Sequence, residues 1–451
     1  TSTYGAIATG VYTYAAVPSA PTVTSTAVNT LKVIVNAGTN PTTASTTFIV
    51  RDTGSATIKY LQVDQTWGVA TATFNYNQLG GATGTTTVGL ATNTLHTIDI
   101  AAVNGDSMQT TTYSTAASLY TLADVPGVST VTSTNAQTMK VIVNSSTNPA
   151  DTTYIVRDTG SATTKYLQAD KTWGTATASI SMANLGGNVN GTTTINLATN
   201  TLHTISVAAV NGDSSATTSY GTAVSIYTLA DTPGTPTLST AVIQGFTMVV
   251  NSSTNPADTT YIVRDTGSAT TKYLQADKTW GTATASISMA NLGGNVNGTT
   301  TINLATNTLH TISVAAVNGD SSATTSYGTA VSIYTLADTP GTATITNSAN
   351  PQQLTIVIGV ASNPTTASTT FVVRDTVSTT QTKYLQADQT WSTATATFTY
   401  AQLGGASGTT TIGLATSSLH VISVAAVNGD STATTSYGTA TSIYTRANTS
   451  S

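Results

Sequence analysis

The chain has 451 residues, of which 7% are charged, and a formal net charge of −5; about 25% charge is usual for a soluble domain, so this surface is built from hydroxyls and amides. Only 13 Lys and Arg are scattered over that length, which leaves no basic stripe for phosphates and argues against nucleic acid as a partner. Cysteine is absent, so there is no disulfide framework or thiolate metal site, and no run approaches the ~18 apolar residues of a membrane span.

In chain order, residues 1–16 (TSTYGAIATGVYTYAA) read as the end of a repeating unit. Tyr4-Gly5, Val11-Tyr12-Thr13 and Pro18 parallel Tyr220-Gly221, Ile226-Tyr227-Thr228 and Pro233, with one extra residue between the tyrosines. A lone strand is not stable in water, so this segment is expected to find a sheet edge, with Tyr4, Ile7, Val11, Tyr12 and Tyr14 as its pairing residues. Thr1 is not Met and no leader-like segment precedes it, so the expectation is a processed, exported protein or part of a longer chain.

The first repeat, residues 17–124, predicts strands at Lys32–Val35, Thr47–Arg51, Lys59–Leu61, Thr73–Tyr76, Thr85–Leu90, His96–Val103 and Tyr113–Leu122, with a turn at Gly80-Gly81. Repeats follow at residues 125–231, 232–338 and 339–451. The pairs Pro126-Gly127, Pro233-Gly234 and Pro340-Gly341 mark short, stiff junctions, because proline fixes φ and removes a ladder donor. Asn144–Thr235 and Asn251–Thr342 are identical over 92 residues, so two consecutive copies serve interchangeable roles. Such a period is the signature of a repeat architecture, whose end units differ because they meet different neighbours.

The segment Asn196–Asp213, NLATNTLHTISVAAVNGD, recurs as near-copies at Gly89–Asp106, Asn303–Asp320 and Gly413–Asp430. Alternation places Ile205, Val207 and Ala209 on one face and Thr204, Ser206 and Ala208 on the other, which predicts a half-buried strand. Asn211-Gly212-Asp213 tolerates positive φ and predicts a tight turn, after which Tyr220–Leu229 returns beside the strand.

Leu197, His203 and the following ISVAAVNG resemble the E–F corner and F strand of fibronectin type III domains, and Met139–Val143 and Tyr154–Arg157 are similar to that family's B and C strands. The resemblance covers all four repeats and implies an all-β fold, a linear array of fibronectin type III-like sandwiches preceded by an orphan strand. Two departures stand out: His96, His203, His310 and His420 replace the corner tyrosine, and a valine replaces the B-strand tryptophan.

Each histidine is the only one in its repeat, too few for a metal site or a general base with a partner His, so a structural hydrogen-bonding corner is expected by analogy with the tyrosine corner. Trp67, Trp173, Trp280 and Trp391 are read as packing residues rather than sugar platforms. In Arg51-Asp52, Arg157-Asp158, Arg264-Asp265 and Arg374-Asp375 the neighbours point to opposite faces, and each Asp is expected to cap the next turn. Sequons at Asn144, Asn190, Asn251, Asn297 and Asn448 make covalent glycans an expectation.

No polar residue stands apart from the fourfold pattern as an asymmetric site, so no enzyme, cofactor or metal is expected. Two functions remain open at this level. The first is a subunit of an extracellular or cell-surface filament, pilus-like, polymerising head to tail with copies of itself by strand donation from residues 1–16. The second is an adhesin stalk or carbohydrate-binding accessory array of a longer secreted protein.

Overall fold

The computed structural model describes residues 12–448 apart from 44, 379 and 380. Tyr4, Ile7 and Val11 lie outside the described residues. The chain divides into two compact units, Thr1–Thr228 and Leu229–Ser451.

In the first unit, the first repeat supplies β1 (Thr22–Ala27), β2 (Thr30–Ile34), β3 (Thr47–Asp52), β4 (Lys59–Leu61), β5 (Trp67–Gly68), β6 (Phe74–Asn75), β7 (Thr85–Thr87), β8 (Leu95–Val103) and β9 (Ala117–Tyr120). One sheet runs β1-β2-β7; the other runs β5-β4-β3-β8-β9, with β6 also paired to β3. This pair of sheets, one of three strands and one of six, forms four times, twice in each unit. The fold is therefore all-β, a tandem set of two-sheet sandwiches, and no helix among the described residues is long and apolar enough to cross a membrane.

The core lies between the two sheets because strand alternation aims one set of side chains inward. In the second repeat, Met139, Val141 and Val143 from one sheet meet Tyr154, Val156, Ile205, Val207 and Ala209 from the other, all buried. Each of the Met, Val and Ile side chains contributes ~1.5–3 kcal/mol through burial. The Gly80-Gly81 turn forms, with φ of 77° and 58° at the two glycines.

The Leu202–Val210 strand differs from its expected half-burial, because Ser206 and Ala208 on its outer face are only 2% and 0% exposed. Arg157, stacked on the ring of Tyr220 and bonded to Ser206, covers that face. The turn after this strand also differs: positive φ falls at Ser107, Ser214, Ser321 and Ser431, not within the Asn-Gly-Asp tripeptides. Gly212 is required for space instead, since a Cβ there would sit 2.1 Å from Cε1 of Tyr120. The returning strand is shorter than expected, Val224–Tyr227, because Tyr220 leaves the ladder to lie over Arg157. In the fourth repeat Val377 stands where the others have Gly54, Gly160 and Gly267, and the strand runs on through Thr370–Ser378 instead of turning.

Candidate functional site

The four corner histidines are buried and each faces an aspartate from the neighbouring strand. Nδ1 of His96, His203, His310 and His420 lies 2.6, 2.7, 2.7 and 2.6 Å from Asp52, Asp158, Asp265 and Asp375. The second oxygen of Asp158 accepts from the backbone N–H of Gly160 and Thr204, both at 2.9 Å, so this one carboxylate satisfies three donors and closes the turn after its own strand. Burial pushes the carboxyls of Asp52, Asp158 and Asp265 up, but the histidine and the two backbone donors outweigh it and hold them below the usual carboxylate range. On the far side of the ring, Nε2 of His203 lies 3.1 Å from Thr201 Oγ1, which donates to the Ala198 carbonyl at 2.9 Å. Thr228 Oγ1 donates to that carbonyl at 2.7 Å. The network thus ties two core strands, the corner and the last strand's end into one polar knot.

In the fourth repeat the order Ser418, His420, Asp375, with contacts of 2.9 and 2.6 Å, matches the sequence of groups in a hydrolase triad. Its chemistry differs, because Ser418 donates to the Ala415 carbonyl at 2.6 Å and Thr445 donates to the same carbonyl at 2.6 Å. The hydroxyl is held in the corner's own hydrogen bonding rather than presented to a substrate.

The outward partner of each Arg-Asp pair has a separate role. The guanidinium carbons of Arg51, Arg157, Arg264 and Arg374 stack 3.4, 3.6, 3.6 and 3.6 Å from the ring centres of Tyr113, Tyr220, Tyr327 and Tyr437. Arg51 also makes a forked pair with Asp99, at 2.9 and 2.6 Å, whereas Arg157 reaches Ser206. Sequence reasoning missed this stack; its signal was a tyrosine recurring in each repeat 62 or 63 residues after an equally recurrent arginine.

A further set of hydrogen bonds lies where one repeat meets the next. In the first unit, the amide of Asn93, at the first repeat's corner, donates to Thr152 Oγ1 (3.0 Å) and the Val210 carbonyl (3.3 Å) and accepts from Gly212 N–H (2.9 Å). The tail after the last strand is seized in return: Ala123 N–H donates to Asn211 (2.8 Å) and Asp124 N–H to Asn148 (2.8 Å), whose own amide donates back to the Asp124 carbonyl (2.7 Å). The second unit repeats this clasp with Asn307 on Thr369, Val427 and Gly429, Ala337 on Asn428 and Asp338 on Asn363. Left-handed φ at Asn93 (50°) and Asn307 (46°) aims the amide across the junction.

Residues 12–16 occupy the same socket on the first repeat. Ala15 N–H donates to Asn104 (2.6 Å), Ala16 N–H donates to Asn40 (2.7 Å), and Asn40 donates back to the Ala16 carbonyl (2.6 Å). Tyr12 lies against Gly105, where a Cβ would come within 2.3 Å of its ring, as Tyr120 lies against Gly212 and Tyr334 against Gly429. Tyr12, Ala15 and Ala16 thus stand for Tyr120, Ala123 and Asp124. Tyr14 is 76% exposed and takes no part in the clasp.

The four tryptophans are half-buried against their cores, and each indole N–H is buried without a hydrogen-bond partner. The sequon asparagines Asn144, Asn190, Asn251, Asn297 and Asn448 are exposed. Among the described residues no group of three or more His, Asp or Glu is placed to hold a metal.

No family model matches the chain, and no curated protein matches it. Among solved structures it is similar to the crystal structure of the chicken CNTN1 FN1–FN3 domains, at 12% identity and a TM-score of 0.23, over 71% of this chain and 98% of that one. At that score the likeness carries no argument about partners. The strand order itself, β1-β2-β7 facing β4-β3-β8-β9, defines tandem fibronectin type III-like sandwiches.

Proposed function

We propose that the protein is the structural subunit of an extracellular, pilus-like filament, in which copies join head to tail through strand donation by residues 1–16. The observation that carries this reading is the seat of Tyr12–Ala16: these residues occupy on the first repeat the socket that elsewhere holds the tail of a preceding repeat's last strand. Within each unit that socket is filled from a preceding sandwich, and in a filament a second copy of the chain would supply one here. A contact of this kind between unlike surfaces does not close on itself and propagates as a fibre. The weakly charged, hydroxyl-rich surface suits close side-by-side packing, and the exposed sequons suit a glycan coat.

The sugar-binding alternative finds less support, because indoles packed against the core with buried N–H groups form no open stacking platform. The test is electron microscopy and light scattering on the full chain beside a variant lacking residues 1–16. Fibres from the first and monomers from the second are expected; fibres from both would show that assembly does not run through residues 1–16, and monomers from both would return the chain to the role of a stalk.

A further inference from the structure

Strand donation needs an acceptor, and naming one rests on the mode of assembly proposed above. We infer that the acceptor is the fourth repeat's strand Leu419–Val427 in a second copy of this chain, and that residues 4–12 replace that repeat's own last strand, Thr441–Tyr444. The contact is a strand exchange rather than the filling of an empty slot, and the resulting subunit junction copies the clasp between repeats.

Four observations converge on this acceptor. The strand Leu419–Val427 is already paired, with Leu419 opposite Tyr444, His420 opposite Ile443, Val421 opposite Ser442 and Ile422 opposite Thr441, so a donor that pairs with it must displace that edge strand. With Tyr12 placed on Tyr444, Val11 falls on Ile443, Gly10 on Ser442 and Thr9 on Thr441. Second, the strand to be displaced is tied to its own repeat by Asn347 on the Tyr444 carbonyl (3.1 Å) and Thr441 on the Ala343 carbonyl (2.8 Å), but among the described residues its tail lacks the grip that the other repeats' tails have. Ala123 and Ala337 are gripped by Asn211 and Asn428, whereas Ala447, at the same place, has no such grip among the described residues, and Tyr444 is 63% exposed.

Third, the first repeat carries the receiving half of a corner contact that none of the described residues fills. Gly105 N–H, Thr46 and Thr39 stand at the positions of Gly212 N–H, Thr152 and Thr147, which engage Asn93 and Thr92. Fourth, the fourth repeat keeps the matching corner. Ser417, at the position of Asn93, has the same left-handed backbone, φ 53°, and Thr416 stands at the position of Thr92. The docked tail Tyr12–Ala16 holds the donor's downstream end in place before a partner arrives, which reduces the freedom lost on pairing. The resident strand competes at high effective concentration because it belongs to the same chain, so exchange begins with its opening and assembly is slow and accelerated by seeds.

The absence of cysteine in the natural chain makes a staple a clean test. The pair Val421→Cys and Ser442→Cys sits at opposed positions whose equivalents, Thr204 and Ser225, bring their hydroxyls within 3.0 Å. Oxidised, this variant is expected to remain monomeric, and reduction is expected to restore fibres at the wild-type rate. The same staple in the second repeat, Thr204→Cys with Ser225→Cys, is expected to leave assembly unchanged. Fibres from the oxidised fourth-repeat variant, or an equal block by the second-repeat staple, would overturn the assignment.

Should the reduced fourth-repeat variant fail to assemble, Gly10→Cys with Val421→Cys decides. Oxidising its fibres is expected to give a ladder of covalent dimers, trimers and higher species, and its absence would overturn the inference. The variant lacking residues 1–16 separates the two levels. If that deletion still yields fibres, donation itself fails; if it abolishes them while the stapled chain assembles, donation stands and the acceptor lies elsewhere.

Discussion

A buried carboxylate is stable only when its oxygens are satisfied, and Asp52 meets that condition with three donors, His96 and the backbone N–H groups of Gly54 and Thr97. Its pKa in the folded chain lies below the unfolded value, so the sign of its contribution is fixed. Stability from this group is fully present above the ordinary aspartate pKa of about 3.9 and is lost as pH falls through the lower folded value. Thermal melting followed from neutral pH to pH 2 is expected to show the loss beginning near pH 4. Asp52→Asn is expected to lower the stability of the first repeat by roughly 1–3 kcal/mol at neutral pH and to flatten its acid response. Hydrogen exchange on strand β8 reads this cleanly, because the first repeat's peptides are distinct in sequence, whereas those of the second and third repeats coincide. An acid response in the variant as steep as in the natural chain would show that this carboxylate is not the titrating group.

At the scale of elements, what holds neighbouring sandwiches together within each unit is a short tail and a turn fitted to one another. Gly212→Ala puts a methyl group 2.1 Å from the ring of Tyr120, and the tail cannot yield without breaking the Ala123–Asn211 bond. The expected cost is ~1–3 kcal/mol, as for other overpacked sites, with faster proteolysis around Thr121–Val125 as the readout. Cleavage at the natural rate would show that the tail is not held there. The strands Thr47–Asp52 and Leu95–Val103 were legible in the sequence within a residue because apolar alternation is a local signal. The inward turn of the histidines was legible from the same parity. Their aspartate partners were not, because 44 or 45 residues separate the members of each pair and only the register of two neighbouring strands brings them together. Gly212 was read as a conformational residue because Asn-Gly-Asp is a common turn signal; its steric role depends on Tyr120, 92 positions away in sequence. The last strand was overextended for the same reason, since nothing local says that Tyr220 turns away to cover Arg157.

For the whole molecule, the seat of Tyr12–Ala16 is made of amides and backbone groups without net charge, Ala16 standing where Asp124 brings a carboxylate to Ser146 and Thr147, and only 7% of the chain is charged. Screening acts on separated charges and leaves neutral hydrogen bonds nearly untouched. Fibre yield and elongation rate are therefore expected to change by less than about twofold between 50 mM and 500 mM NaCl, measured by light scattering from seeded reactions. A steep fall with salt would assign the contact to ion pairs that the clasp does not contain.

The clasp is built from a corner and tail at one pole of a sandwich and from loops at the opposite pole of the next. A gene encoding such a chain can therefore gain or lose a copy of the 107-residue period by unequal recombination between its identical stretches, and the protein that results keeps both termini and every boundary in working order. Subunit length then becomes a trait that selection can vary in fixed increments while the machinery of joining stays the same.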